Sequence, residues 1–66
     1  MVTEGALARM LVEAAGAEQE LLQHKAQTED GGERAQVAAA CRHAKGLRQS
    51  IEAWLAWRAV RATVTQ

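Results

Sequence analysis

Two adjacent glycines, Gly31 and Gly32, sit near the middle of a 66-residue chain that has no proline. On both sides of the pair, apolar residues recur at helical spacing. Carrying one helix through both glycines costs about 1 kcal/mol for each relative to alanine. The chain is therefore expected to fold back on itself as two antiparallel helices, an all-α helical hairpin. One of the two glycines would take the left-handed conformation that closes a helix.

The first helix is expected over about residues 3–28, the turn over 29–32 and the second helix over about 33–62, in a single domain. Thr3 can accept a hydrogen bond from a free amide of the first turn, and Glu4 suits the positive helix end. Leu7, Met10, Leu11, Ala14, Ala17/Glu18, Leu21 and Leu22 trace one face at steps of three and four. Asp30 can cap the second helix, with Glu33 in its first turn. Val37, Ala40/Cys41, Ala44, Leu47, Ile51, Trp54/Leu55 and Arg58 carry the apolar face of that helix. Thr63-Val64-Thr65 is β-branched and expected to fray. Alternation at period two is absent, so no strand is expected.

Folding at residue 31 pairs positions whose numbers sum to about 62, placing Leu21 level with Cys41, Leu11 with Ile51, and Leu7 with Leu55. Gly16 then meets Gly46, which leaves either a close helix contact or a notch at that height.

A chain this short seldom stabilises itself by a large margin. Cys41 is the sole cysteine, so no internal disulfide can form. An unpaired thiol suits a reducing, cytoplasmic setting. The start of the chain lacks the pattern of a signal peptide, and no run of about 18 apolar residues offers a membrane span. The net charge is zero but unevenly spread. Residues 1–32 carry six acidic side chains against Arg9 and Lys25, whereas residues 33–66 carry six basic ones against Glu33 and Glu52. Either the two helices attract each other, or the second offers cations to an anionic ligand.

The open end of the hairpin is expected to gather Leu7, Met10 and Leu11 from one helix and Trp54, Leu55, Trp57 and Val60 from the other. Two helices cannot cover that much apolar surface, and such patches mark contact sites. The expectation is a homodimeric four-helix bundle or larger helical assembly, with Trp54 in the core and Trp57 at an interface. Another protein is the expected further partner.

Chemistry is sparsely encoded. Cys41 and His43 diverge by about 200° on a helix, so with His24 they make a poor metal set. Nothing positions a base beside Cys41, which reads as a small core residue. No catalytic residue, metal or cofactor is expected, and the chain reads as non-enzymatic. The best ligand candidates are Arg42, His43, Lys45, Gly46 and Arg48. Arg42, Lys45 and Arg48 share a stripe that could clamp phosphates. The competing reading is a solvated face with salt bridges to Glu18 and Glu13.

Two resemblances bear on function. Glu33-Arg34, the small run Ala38-Ala39-Ala40, and Gly46-Leu47 resemble the helical-hairpin domain of phage anti-defence proteins that sequester cyclic nucleotide signals. That resemblance implies an oligomer with anionic nucleotide sites between chains, lined by basic residues of the second helix. The turn at Asp30, with His43-Ala44, Leu47 and Ser50, is similar to a plasmid RNA-binding hairpin that dimerises into a four-helix bundle. The acidic first helix disfavours nucleic acid as a partner.

Overall fold

The computed structural model describes residues 2–64. It contains helix α1, Glu4–Gln27, and helix α2, Gly31–Val64, packed side by side as a helical hairpin. No helix is long and apolar enough to cross a membrane among the described residues.

Both helix starts are built as their sequences suggest. The Thr3 hydroxyl accepts from the Ala6 amide at 3.0 Å, and the Thr3 carbonyl accepts from Leu7 at 3.0 Å. Val2, just outside the cap, packs on the cluster containing Leu7. This is the hydrophobic clasp that fixes the angle at which a chain enters a helix. The Asp30 carboxylate accepts from the Gly32 amide at 2.9 Å, and the Asp30 carbonyl accepts from Arg34 at 2.8 Å.

The turn is made differently from the expectation. No glycine has positive φ, and Gly31 and Gly32 lie inside α2 rather than before it. The chain leaves α1 through Thr28, in extended backbone at φ −85° and ψ 121°, while its hydroxyl donates to the His24 carbonyl at 2.6 Å. Because Asp30 satisfies the next helix start, its two glycines are tolerated in the first turn. There, unbonded amides are normal and the helix loses little. At the other end α2 runs past Ala62 to Val64, with the Thr63 hydroxyl donating to the Ala59 carbonyl at 3.0 Å. Thr65, where fraying was also expected, lies outside the described residues.

Burial centres on a heptad, with Ala6, Met10, Ala15, Ala38, Ala39 and Ala40 half-buried beside it. On α1 the buried and half-buried positions include Leu7, Leu11, Ala14, Glu18, Leu21 and Lys25; on α2 they include Val37, Cys41, Ala44, Arg48, Ile51, Leu55 and Arg58. Both series step by four and three, the spacing of a coiled-coil seam. The seam corrects two expectations. Leu47 is 56% exposed, because Arg48 occupies the seam position beside it. Trp54 is 40% exposed rather than in the core, because Leu55 takes the inward position.

An ion pair between Glu18 and Arg48 joins the two helices within this seam. The core is slight: Leu7, Ala14 and Ile51 form its buried cluster, with Val2, Met10, Leu11 and Leu55 packed against them.

The glycine waist is absent. A methyl group added at Gly16 or Gly46 would meet no atom within 4 Å, so neither glycine serves a close helix contact. Both sit mid-helix and exposed, where glycine costs about 0.5–1 kcal/mol relative to alanine. Gly16→Ala and Gly46→Ala are each expected to stabilise the hairpin by about that amount, raising Tm by several degrees in thermal unfolding. A lowered Tm from either substitution would mean that another chain closes on that position.

Candidate functional site

Two surfaces lie on opposite flanks of the hairpin. At about 100° per residue, Leu47 and Trp54 stand roughly 40° and 60° to one side of Ile51 on α2. Arg48, Cys41 and Lys45 stand roughly 60°, 80° and 120° to the other side.

The second flank carries an open groove of about 580 Å³, lined by Glu18, Leu22 and Lys25 of α1 and by Ala38, Cys41, Arg42, Lys45 and Arg48 of α2. Its floor is apolar: Cys41 is buried, and Ala38 is half-buried. The groove brings together three of the expected ligand residues, Arg42, Lys45 and Arg48. It excludes two, since His43 and Gly46 do not line it. Both exclusions follow from the turn of the helix. His43 and Gly46 point about 80° and 140° from Ile51, on the side away from the groove.

The three cations of α2 are not equivalent. The Arg48 Nε donates to a Glu18 carboxylate oxygen at 3.1 Å, and its Nη1 donates to Glu52 at 2.8 Å. These side chains are partly screened from water, with 26% of Arg48 and 15% of Glu18 exposed. The hydrogen bonds to Glu52 and then Glu18, together with the Glu18 charge, raise the Arg48 pKa above arginine's ordinary value. A raised cation pKa contributes stability that is complete below the unfolded pKa and is lost only as pH rises through arginine's own range. Arg48 is thus a structural cation across neutral pH, and the salt-bridge reading of the stripe holds for it. Glu13 takes no part, since it faces Arg9 at 3.8 Å within α1.

By contrast, Lys25, Arg42 and Lys45 have no ion pair among the described residues. Lys25 and Leu22 were not among the expected ligand residues. Their signal was the seam: Lys25 falls on it one heptad beyond Glu18, and Leu22 stands next to seam residue Leu21.

The apolar flank is built from large exposed side chains. Leu47, Trp54, Trp57, Val60 and Val64 are all exposed, Trp57 by 54% and Val60 by 64%. Leu47 and Trp54 are seven residues apart, as are Ser50, Trp57 and Val64, so α2 carries a second heptad row outside the hairpin. Arg58 lies over the Trp54 ring at 5.2 Å and Arg61 over the Trp57 ring at 5.1 Å. These cation–π contacts hold the indoles against the helix while leaving their outer faces open. The expected interface set divides here. Leu7 is fully buried, and Met10, Leu11 and Leu55 pack against the cluster it forms with Ala14 and Ile51, so these four belong to the hairpin's own core. Trp54, Trp57 and Val60 remain available. Among the described residues no group of three His, Cys, Asp or Glu side chains is placed to hold a metal ion.

No family model, curated protein or solved structure matches this chain.

The Glu18–Arg48 pair gives a direct test of the seam. Arg48→Ala is expected to lower Tm, because it strands the half-buried Glu18 carboxylate. Glu18→Ala combined with Arg48→Ala is expected to cost less than the two single losses added. A double-mutant cycle in thermal unfolding measures this coupling; strict additivity would show that the pair does not act as a unit.

Proposed function

We propose that the hairpin is a non-enzymatic, self-associating helical module that acts by binding another protein, as a small inhibitor or adaptor of phage or mobile-element type would. The observation carrying this reading is a surplus of surface. The chain exposes 5057 Å², whereas a compact folded chain of 7.1 kDa exposes about 4,100 Å². The difference, about 1,000 Å², is of the size that one partner contributes to a standard interface, about 800 Å².

Shape supports the same reading. The hairpin measures 54 × 17 × 16 Å with a radius of gyration of 15.5 Å, against about 11 Å for a compact domain of this length. The four buried residues among those described, Leu7, Ala14, Cys41 and Ile51, make a small core for two long helices. Helices within proteins gain most of their stability from tertiary packing. The outer row of Leu47, Trp54, Trp57 and Val64 presents the heptad spacing that a further helix needs for knobs-into-holes packing. Tryptophan at the centre of such a row is a frequent source of binding energy.

Sedimentation equilibrium tests the reading. The wild-type chain is expected to form dimers or larger oligomers at micromolar concentration. Leu47→Glu with Trp54→Glu, both at exposed positions, is expected to weaken association by about 100-fold or more, or about 2.7 kcal/mol. A wild-type chain that stays monomeric at millimolar concentration and still melts cooperatively would contradict it.

A further inference from the structure

We propose that the groove on the flank opposite the tryptophans binds a small organic dianion that carries an apolar or aromatic body. Four cations line it, Lys25, Arg42, Lys45 and Arg48, against the single carboxylate of Glu18. Arg48 cancels that carboxylate within the structure. What remains toward the groove is Lys25 from α1 and Arg42 and Lys45 from α2, none of them in an ion pair among the described residues. Arg42 and Lys45 are one helical turn apart, so their charges repel each other across about 5–6 Å at their β-carbons. The lack of compensation is local, because the chain as a whole has zero net charge.

Charge alone defines half of the site. Between the cations lie Leu22, Ala38 and Cys41. Leu22 is among the large apolar side chains left exposed, at 43%. An apolar floor ringed by three uncompensated cations matches a ligand with both parts: an anionic head to span Lys25, Arg42 and Lys45, and a body to cover Leu22 and Ala38. The volume, about 580 Å³, falls within the roughly 300–1,000 Å³ typical of small-molecule sites. Arginine and lysine at the mouth accept a phosphate or a dicarboxylate through charge-assisted hydrogen bonds. The chemistry shared by the two heads is a doubly charged oxyanion. Because the groove and the tryptophan row face opposite ways, ligand binding needs no disruption of an assembly built on that row.

The test is a titration of the full chain, followed by amide chemical shifts, with four probes. 1-Naphthyl phosphate and 2,6-naphthalenedicarboxylate carry both body and charge; pyrophosphate carries charge alone and 1-naphthol body alone. The two naphthyl dianions are expected to bind saturably and to shift the amides of Leu22, Ala38 and Cys41, with the tighter of them assigning the head group. Pyrophosphate and 1-naphthol are expected to bind about tenfold more weakly or not at all, and Arg42→Gln with Lys45→Gln to weaken the naphthyl dianions by about tenfold or more. Lys25→Gln, on the other helix, is expected to weaken them in the same direction. Absence of saturable binding by either naphthyl dianion, equal binding of pyrophosphate, or binding unchanged in both variants would overturn the proposal. Sedimentation of the same samples reads self-association separately, so the failure of one reading is distinguishable from that of the other.

Discussion

The packing of this hairpin depends on one ion pair set among small and aliphatic residues near the middle of the seam. Glu18 and Arg48 occupy matching heptad positions, and Arg48 reaches on to Glu52 one turn along its own helix. A seam of small and aliphatic residues would slide with little penalty, because leucine and alanine make similar contacts one turn away. A half-buried carboxylate tolerates no such slip. Moved by a turn, it would lose its guanidinium while staying partly dehydrated, and a charge left so costs more than the pair gains by forming. Buried polar groups that set register at some cost in stability are well attested in coiled coils.

From that seam the rest follows. Ala14, Ile51 and Leu7 make the buried cluster. Lys25 lines the groove together with Cys41, which brings a cation from the acidic helix to the edge of the basic one. Leu47 and Trp54 are turned outward, because Arg48 and Leu55 hold the inward positions. The pair that orders the core therefore also decides which large apolar side chains are left facing away from it. Much of the apolar content of α2 then lies outside the hairpin, and the surface surplus is the measurable consequence.

The sequence disclosed the two helices, the position of the reversal, and the capping roles of Thr3 and Asp30, because each rests on local chemistry that a few residues determine. Leu7, Ala14, Cys41 and Ile51 were legible as inward positions for the same reason. The inward face of α2 was only partly so. Choosing the more apolar neighbour favoured Leu47 over Arg48 and kept Trp54 beside Leu55, which displaced the face sideways and placed Trp54 in the core. Yet the regular steps Ala44, Arg48, Ile51, Leu55 and Arg58 were present throughout. They are hard to credit from composition alone, since an arginine becomes a good seam residue only when a glutamate stands opposite. The glycine turn failed for a related reason: Asp30 supplies the hydrogen bonds that make a left-handed residue unnecessary.

Placing a charge at two adjacent positions of α2 tests the seam most directly. Leu55 packs against the buried cluster, whereas Trp54 is 40% exposed. A lysine at the inward position buries an unpaired charge, and one at the outward position stays in water. Thermal unfolding followed by circular dichroism is predicted to show a far lower Tm for Leu55→Lys than for Trp54→Lys. A larger loss from Trp54→Lys would contradict the seam and everything positioned by it.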